Sequence, residues 1–148
     1  MTTTATAVLS ITQTLDLDQL QKRLTALQTR MAQAERDLSD GMMVANSCGR
    51  AQGKRLVAFG LLKEAQGIMG NLVSSAMSLK PEAGGKMSLV PGVAELLMDQ
   101  FDVGQDAIVP FLWESCTRFL PMAESLVDQA RTCLDEASAL DRDREARR

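Results

Sequence analysis

The chain has no histidine and no tyrosine. Without histidine it lacks both the commonest general base and the commonest metal ligand. Cys–His nucleophile pairs and the Glu-x-x-His di-iron motif of helical bundles are excluded with it. Aromatic residues are few, four Phe and one Trp. Three cysteines, Cys48, Cys116 and Cys133, are odd in number, far apart and form no CxxC. No disulfide framework is expected, a reducing compartment fits, and each thiol reads as a small buried apolar side chain.

Long apolar runs are missing too. No window reaches the roughly 18 uncharged apolar residues of a membrane-spanning helix. The first residues lack the basic start and apolar run of a cleaved signal peptide. The expected location is cytoplasmic, although the Thr/Ser-rich start also suits an uncleaved bacterial export signal. A net charge of −3 argues against nucleic acid, which normally demands a basic face. Phosphate loops fail as well: Gly85-Lys86 is followed by Met87, Gly53-Lys54 by Arg55, and neither fits GxxxxGK[ST]. The paired carboxylates Asp135-Glu136 and the acids of 141–145 bring no partner that would mark an acid–base site. No enzyme, metal or cofactor is expected.

What remains fits one helical domain. The 148 residues are 45% hydrophobic and 24% charged, ordinary for a soluble domain able to bury a core. Leu, Ala, Val and nine Met carry the apolar content, which favours helices over strands.

The clearest pattern runs from Leu15 to Gly41. Leu17, Leu20, Leu24, Leu27, Met31, Ala34 and Leu38 recur at alternating steps of three and four, a heptad seam. Asp16 and Gln19 form a capping box, Leu15 and Leu20 a hydrophobic staple, and Gly41 suits a left-handed C-cap. Polar residues flank the seam on both sides: Gln21, Arg23, Gln28, Arg30, Glu35 and Asp37. A stripe this narrow serves either one helix of an ordinary bundle or a contact with another subunit.

Residues 1–14 alternate Thr with Ala, Leu and Ile, and read as a loosely docked tail or a short strand. Met42 to Leu79 is a second helical stretch interrupted by Gly49, Gly53, Gly60, Gly67 and Gly70. Each interior glycine costs about 0.8–1 kcal/mol relative to alanine. The stretch is therefore two helices joined near Cys48–Gly53, or one helix whose glycines serve a purpose. Gly53, Gly60 and Gly67 are seven apart and Gly49 joins their face, which would admit a second helix at close range. Within 56–79, Lys63 and Glu64 oppose a membrane span but leave interfacial membrane binding as an alternative.

Pro81, Gly84, Gly85, Pro91 and Gly92 mark 80–92 as a hinge loop. Val93 to Phe101 is a short helix, 102–106 a turn, and Pro121 a kink or a new start. A last helix carries Ala123, Leu126, Ala130, Cys133, Ala137 and Leu140, widened by Val127 and Leu134. The charged end, 141–148, reads as a solvated tail. Arg50, Lys54 and Arg55 are the densest cationic cluster, open to an anion or an acidic partner.

The expected fold is all-α, a bundle of four to five helices over 15–140, with long first, second and last members. The expected function is non-enzymatic protein–protein interaction by a self-associating adaptor or assembly subunit of bacterial or phage origin. The alternative is a secreted helical protein acting at a membrane through 56–79. The candidate contact residues are Leu17, Leu20, Leu24, Leu27, Met31, Leu38, Gly49, Gly53, Gly60 and Gly67. A homo-oligomeric partner is favoured, a membrane surface less so, and nucleic acid least.

Overall fold

A computed structural model describes residues 16–147. The fold is all-α, with four helices and one small hairpin among the described residues. Helix α1 spans Leu17–Met42, α2 Gly49–Met77, α3 Val93–Phe101 and α4 Gln105–Ala146. Between α2 and α3, strands β1 (Leu79–Pro81) and β2 (Met87–Leu89) pair antiparallel. The 1–14 segment and the Leu15 staple lie outside the described residues.

Helix α1 begins as its sequence dictates. The Gln19 N–H donates to Asp16 Oδ1 at 2.8 Å, and the Asp16 N–H donates to Gln19 Oε1 at 2.9 Å. Two of the unpaired donors at the helix start are satisfied reciprocally. The seam is buried inside the chain at Leu17, Leu20, Leu24, Leu27, Ala34 and Leu38, with Met31 half-buried. Of the two readings of this stripe, these positions fit one helix of an ordinary bundle: the chain's own elements cover them. The C-terminus differs from the expected one. The helix runs through Gly41 to Met42, and the left-handed residue before α2 is Asn46, with φ of 61°.

Helix α2 is one continuous helix, and its polarity is unusual. The buried positions are Ala51, Arg55, Ala58, Leu62, Ala65, Met69, Leu72 and Ala76, again at steps of four and three. Alanine fills much of this inner face, while Leu56, Val57 and Phe59 point outward. A Cβ built on Gly49, Gly53, Gly60, Gly67 or Gly70 would meet nothing within 4 Å. The glycines therefore line no groove within the chain. At 100° per residue Gly49, Gly53, Gly60 and Gly67 fall opposite the buried seam, and Gly70 lies to one side.

Pro121 does not restart the chain; α4 continues through it from Gln105 to Ala146. An interior proline costs about 3 kcal/mol. Its neighbours Leu120 and Ala123 are fully buried, so packing holds the helix across an exposed proline. The presumed charged tail is likewise helical to Ala146.

The chain divides into two compact units. In the first, residues 16–24 and 72–118, the expected hinge loop is a closed hairpin. Leu79 pairs with Leu89 and Pro81 with Met87, and both leucines are buried. Gly84 and Gly85 take φ of 77° and 76°, which only glycine adopts without strain, and so turn the chain between the strands. The Glu82 N–H donates to the Lys86 carbonyl at 2.7 Å, and the Val90 N–H donates to the Ser78 carbonyl at 2.9 Å.

The second unit, residues 25–71 and 119–148, joins segments of three helices. Ala34 and Leu38 of α1, Ala58 and Leu62 of α2, and Ala130 and Leu134 of α4 form its core cluster. A fully buried leucine contributes about 1.5–3 kcal/mol. Val127 and Leu134 are buried while Leu126, Cys133 and Leu140 are only half-buried, so the positions expected to widen the α4 stripe are its centre. Charges flanking the α1 seam fix neighbours within this unit. Arg30 pairs with Asp128, Asp37 with Arg131 at 2.6 Å, and Gln66 Nε2 donates to Glu35 Oε1 at 2.5 Å.

Candidate functional site

The most organised polar site lies in the second unit, where α1 hands over to α2. Arg55 is 3% exposed, the one charged residue among the buried positions described. Its Nη2 stands 2.8 Å from Asp141 Oδ2, and its Nη1 donates to Ser47 Oγ at 2.9 Å. Ser47 Oγ donates to Asp141 Oδ1 at 2.8 Å, and the Cys48 N–H reaches the same oxygen at 3.2 Å. Burial works to raise the Asp141 pKa, but bonds from Arg55, Ser47 and Cys48 outweigh it and hold the carboxyl below its usual value.

This corner also completes α2. That helix has no acidic residue in its first turn. Asp141, carried in from α4, places a carboxylate at its N-terminus, where the helix dipole favours negative charge. Gly41 makes room for the arrangement: a Cβ there would lie 2.3 Å from Arg55 Nε. The glycine expected as a C-cap is instead the seat of a buried guanidinium.

The cationic cluster accordingly disperses. Arg55 is buried with Asp141, Lys54 pairs with Glu136 at 2.7 Å, and Arg50 is exposed. Two of the three charges are neutralised within the chain, so no concentrated anion site results. Beside the corner, a polar hollow of about 300 Å³ is lined by Val44, Ala45, Asn46, Asp141, Arg144 and Glu145, which bring both signs of charge.

Apolar surface lies elsewhere. An open cleft of about 490 Å³ has Glu35, Leu38, Ser39, Met42 and Met43 on one side and Phe59, Leu62, Lys63 and Gln66 on the other. Met43 is 84% exposed, and Lys63 Nζ stands 5.5 Å from the centroid of the Phe59 ring. In the first unit, α3 exposes Leu96 and Phe101. Sequence reading missed these residues, because an apolar side chain on a helix does not announce which face is covered. For Phe59 the signal existed: its position is offset from the inner alanine repeat.

The cysteines are all free. Cys116 is buried, and that burial pushes its thiol up to about 11. Cys48 accepts a weak bond from the Ala51 N–H at 3.4 Å at the start of α2. Among the described residues no group of three Cys, Asp or Glu side chains is placed to hold a metal ion. No helix there is long and apolar enough to cross a membrane. The chain matches no family model, no curated protein and no solved structure in significant comparisons.

Proposed function

We propose that this protein is a non-enzymatic helical module that works through protein–protein contact and associates with itself, as an adaptor or assembly subunit. The observation that carries the reading is the amount of large apolar side chain left uncovered while the chain's own seams are closed. Met43, Leu56, Val57, Phe59, Leu96 and Phe101 are all exposed, at 48% or more. Extended apolar surface on a folded protein marks an interaction site. The outer face of α2, with Gly53, Gly60 and Gly67 beside Leu56, is uncovered as well and suits close approach by another helix. The α1 seam is no longer part of the reading, since it is internal.

Sedimentation equilibrium over a wide concentration range tests it. Self-association predicts a mass that rises with concentration above the 16.1 kDa of one chain. A single 16.1 kDa species at the highest concentration overturns the reading.

A further inference from the structure

We infer that self-association is head-to-tail: the α3 surface of one copy docks in the Met43–Phe59 cleft of the next. The inference rests on the self-association reading and names its two faces. The cleft has an apolar floor of Leu38 and Leu62, with Met42, Met43 and Phe59 exposed at its mouth. Methionine fits its surface to varied apolar partners. On the α2 wall stands Lys63, whose described partner is the Phe59 ring; no carboxylate pairs with it among the described residues. Glu35 on the opposite wall is already engaged by Gln66. The cleft thus offers an apolar socket with one available cation on one edge.

The matching element is on the same chain. Leu96 is 66% exposed on the outward side of α3, and Phe101 is 57% exposed at its end. Glu95 and Asp99 flank Leu96, and neither makes an ion pair among the described residues. From Met87 to Thr117 the sequence holds Glu95, Asp99, Asp102, Asp106 and Glu114 but not one Lys or Arg. An apolar anchor flanked by acids therefore faces a socket edged by a cation, and both are uncovered. Charge complementarity of this kind sets register and partner choice. Because the two faces are different patches, the contact is heterologous and propagates into rings or open chains rather than stopping at a two-fold dimer.

Two exposed positions test it, Leu96→Ser on α3 and Met43→Ser in the cleft, each checked for an unchanged far-UV helical signal. Either variant alone should sediment as a monomer. An equimolar mixture should form a 1:1 dimer and nothing larger, since one intact α3 face and one intact cleft remain. Lys63→Glu should weaken wild-type association about tenfold, and adding Glu95→Lys with Asp99→Lys in the same chain should restore it. A monomeric wild type overturns both this inference and the reading beneath it. Oligomeric single variants, a mixture that stays monomeric, or an indifferent Lys63→Glu overturn the head-to-tail contact alone. Binding to vesicles that Leu96→Ser abolishes while the wild type stays monomeric assigns the surface to lipid, and also overturns it.

Discussion

Replacing Gly41 by alanine sets helix propensity against packing at a single site. Gly41 lies within α1 and its φ is not positive. Propensity alone therefore favours alanine there by about 1 kcal/mol. The geometry opposes it. The new methyl group would stand 2.3 Å from Arg55 Nε and 3.0 Å from its Cδ and Cζ. An exposed arginine would swing aside, but Arg55 is 3% exposed and held by Asp141 and Ser47. Relief means either overpacking, about 1–3 kcal/mol, or breaking a buried ion pair, about 3–5 kcal/mol. After the propensity gain is subtracted, Gly41→Ala should destabilise by about 0–2 kcal/mol if the site overpacks and by about 2–4 kcal/mol if the ion pair breaks. For a chain of this size that lowers Tm by up to roughly 6 °C on the first route and by roughly 6–12 °C on the second, read by circular dichroism at 222 nm. The same substitution in an Arg55→Met background should lose most of this penalty. A Tm raised by Gly41→Ala in the wild-type background would refute the reasoning.

The glycines of α2 predict the opposite sign. Gly60→Ala and Gly67→Ala enter open space, so in dilute monomer each should stabilise by about 0.8–1 kcal/mol in urea denaturation; a loss at either site would mean that the face is covered. Asp37 is held below its usual value chiefly by the Arg131 hydrogen bond, and Asp141 is depressed by its partners despite burial. A depressed folded pKa gives stability that is complete above the unfolded value, about 4, and is lost as pH falls through the folded one. Denaturation midpoints should therefore be insensitive to these pairs from pH 5 to 7 and drop below pH 4, and Asp141→Asn should flatten that drop. Cys116, buried with its thiol pushed up to about 11, should resist an aromatic disulfide reagent at pH 8 until denaturant is added, whereas Cys48 and Cys133 react first. Equal native rates for all three would contradict the burial.

Local signals in the sequence survive into the structure. Asp16 and Gln19 cap α1 as their spacing requires, the Leu17–Leu38 heptads are buried, and Val93–Phe101 is helical over that span. These features depend on neighbours within a few residues. What the sequence concealed depends on distant ones. Whether a narrow seam is covered by its own chain or by another is decided elsewhere, and here its own chain covers it. Helix α2 buries alanines and exposes Leu56, Val57 and Phe59, so a pattern ranked by hydrophobicity points to the wrong face. Arg55 looked like part of a surface cluster because nothing nearby in sequence reveals Asp141. Pro121 carries a strong local signal for a break that the burial of Leu120 and Ala123 overrides. The glycines around the hairpin mark a turn correctly, but the buried leucine pair that closes it is visible only once the strands meet.

The dependence of Arg55 on Asp141 also orders events in time. Synthesis proceeds from the N-terminus, and domains begin to organise as they emerge. Helices α1 and α2 leave the ribosome well before residue 141 does. During that interval the guanidinium that Gly41 admits has no counter-charge, and the N-terminus of α2 lacks its carboxylate. Desolvating an unpaired charge costs several kcal/mol, so the corner stays hydrated and open on the nascent chain. The last turns of α4 therefore act as a clasp that closes only once Asp141 has been made, which makes that stretch of α4 a condition for sealing the corner between α1 and α2.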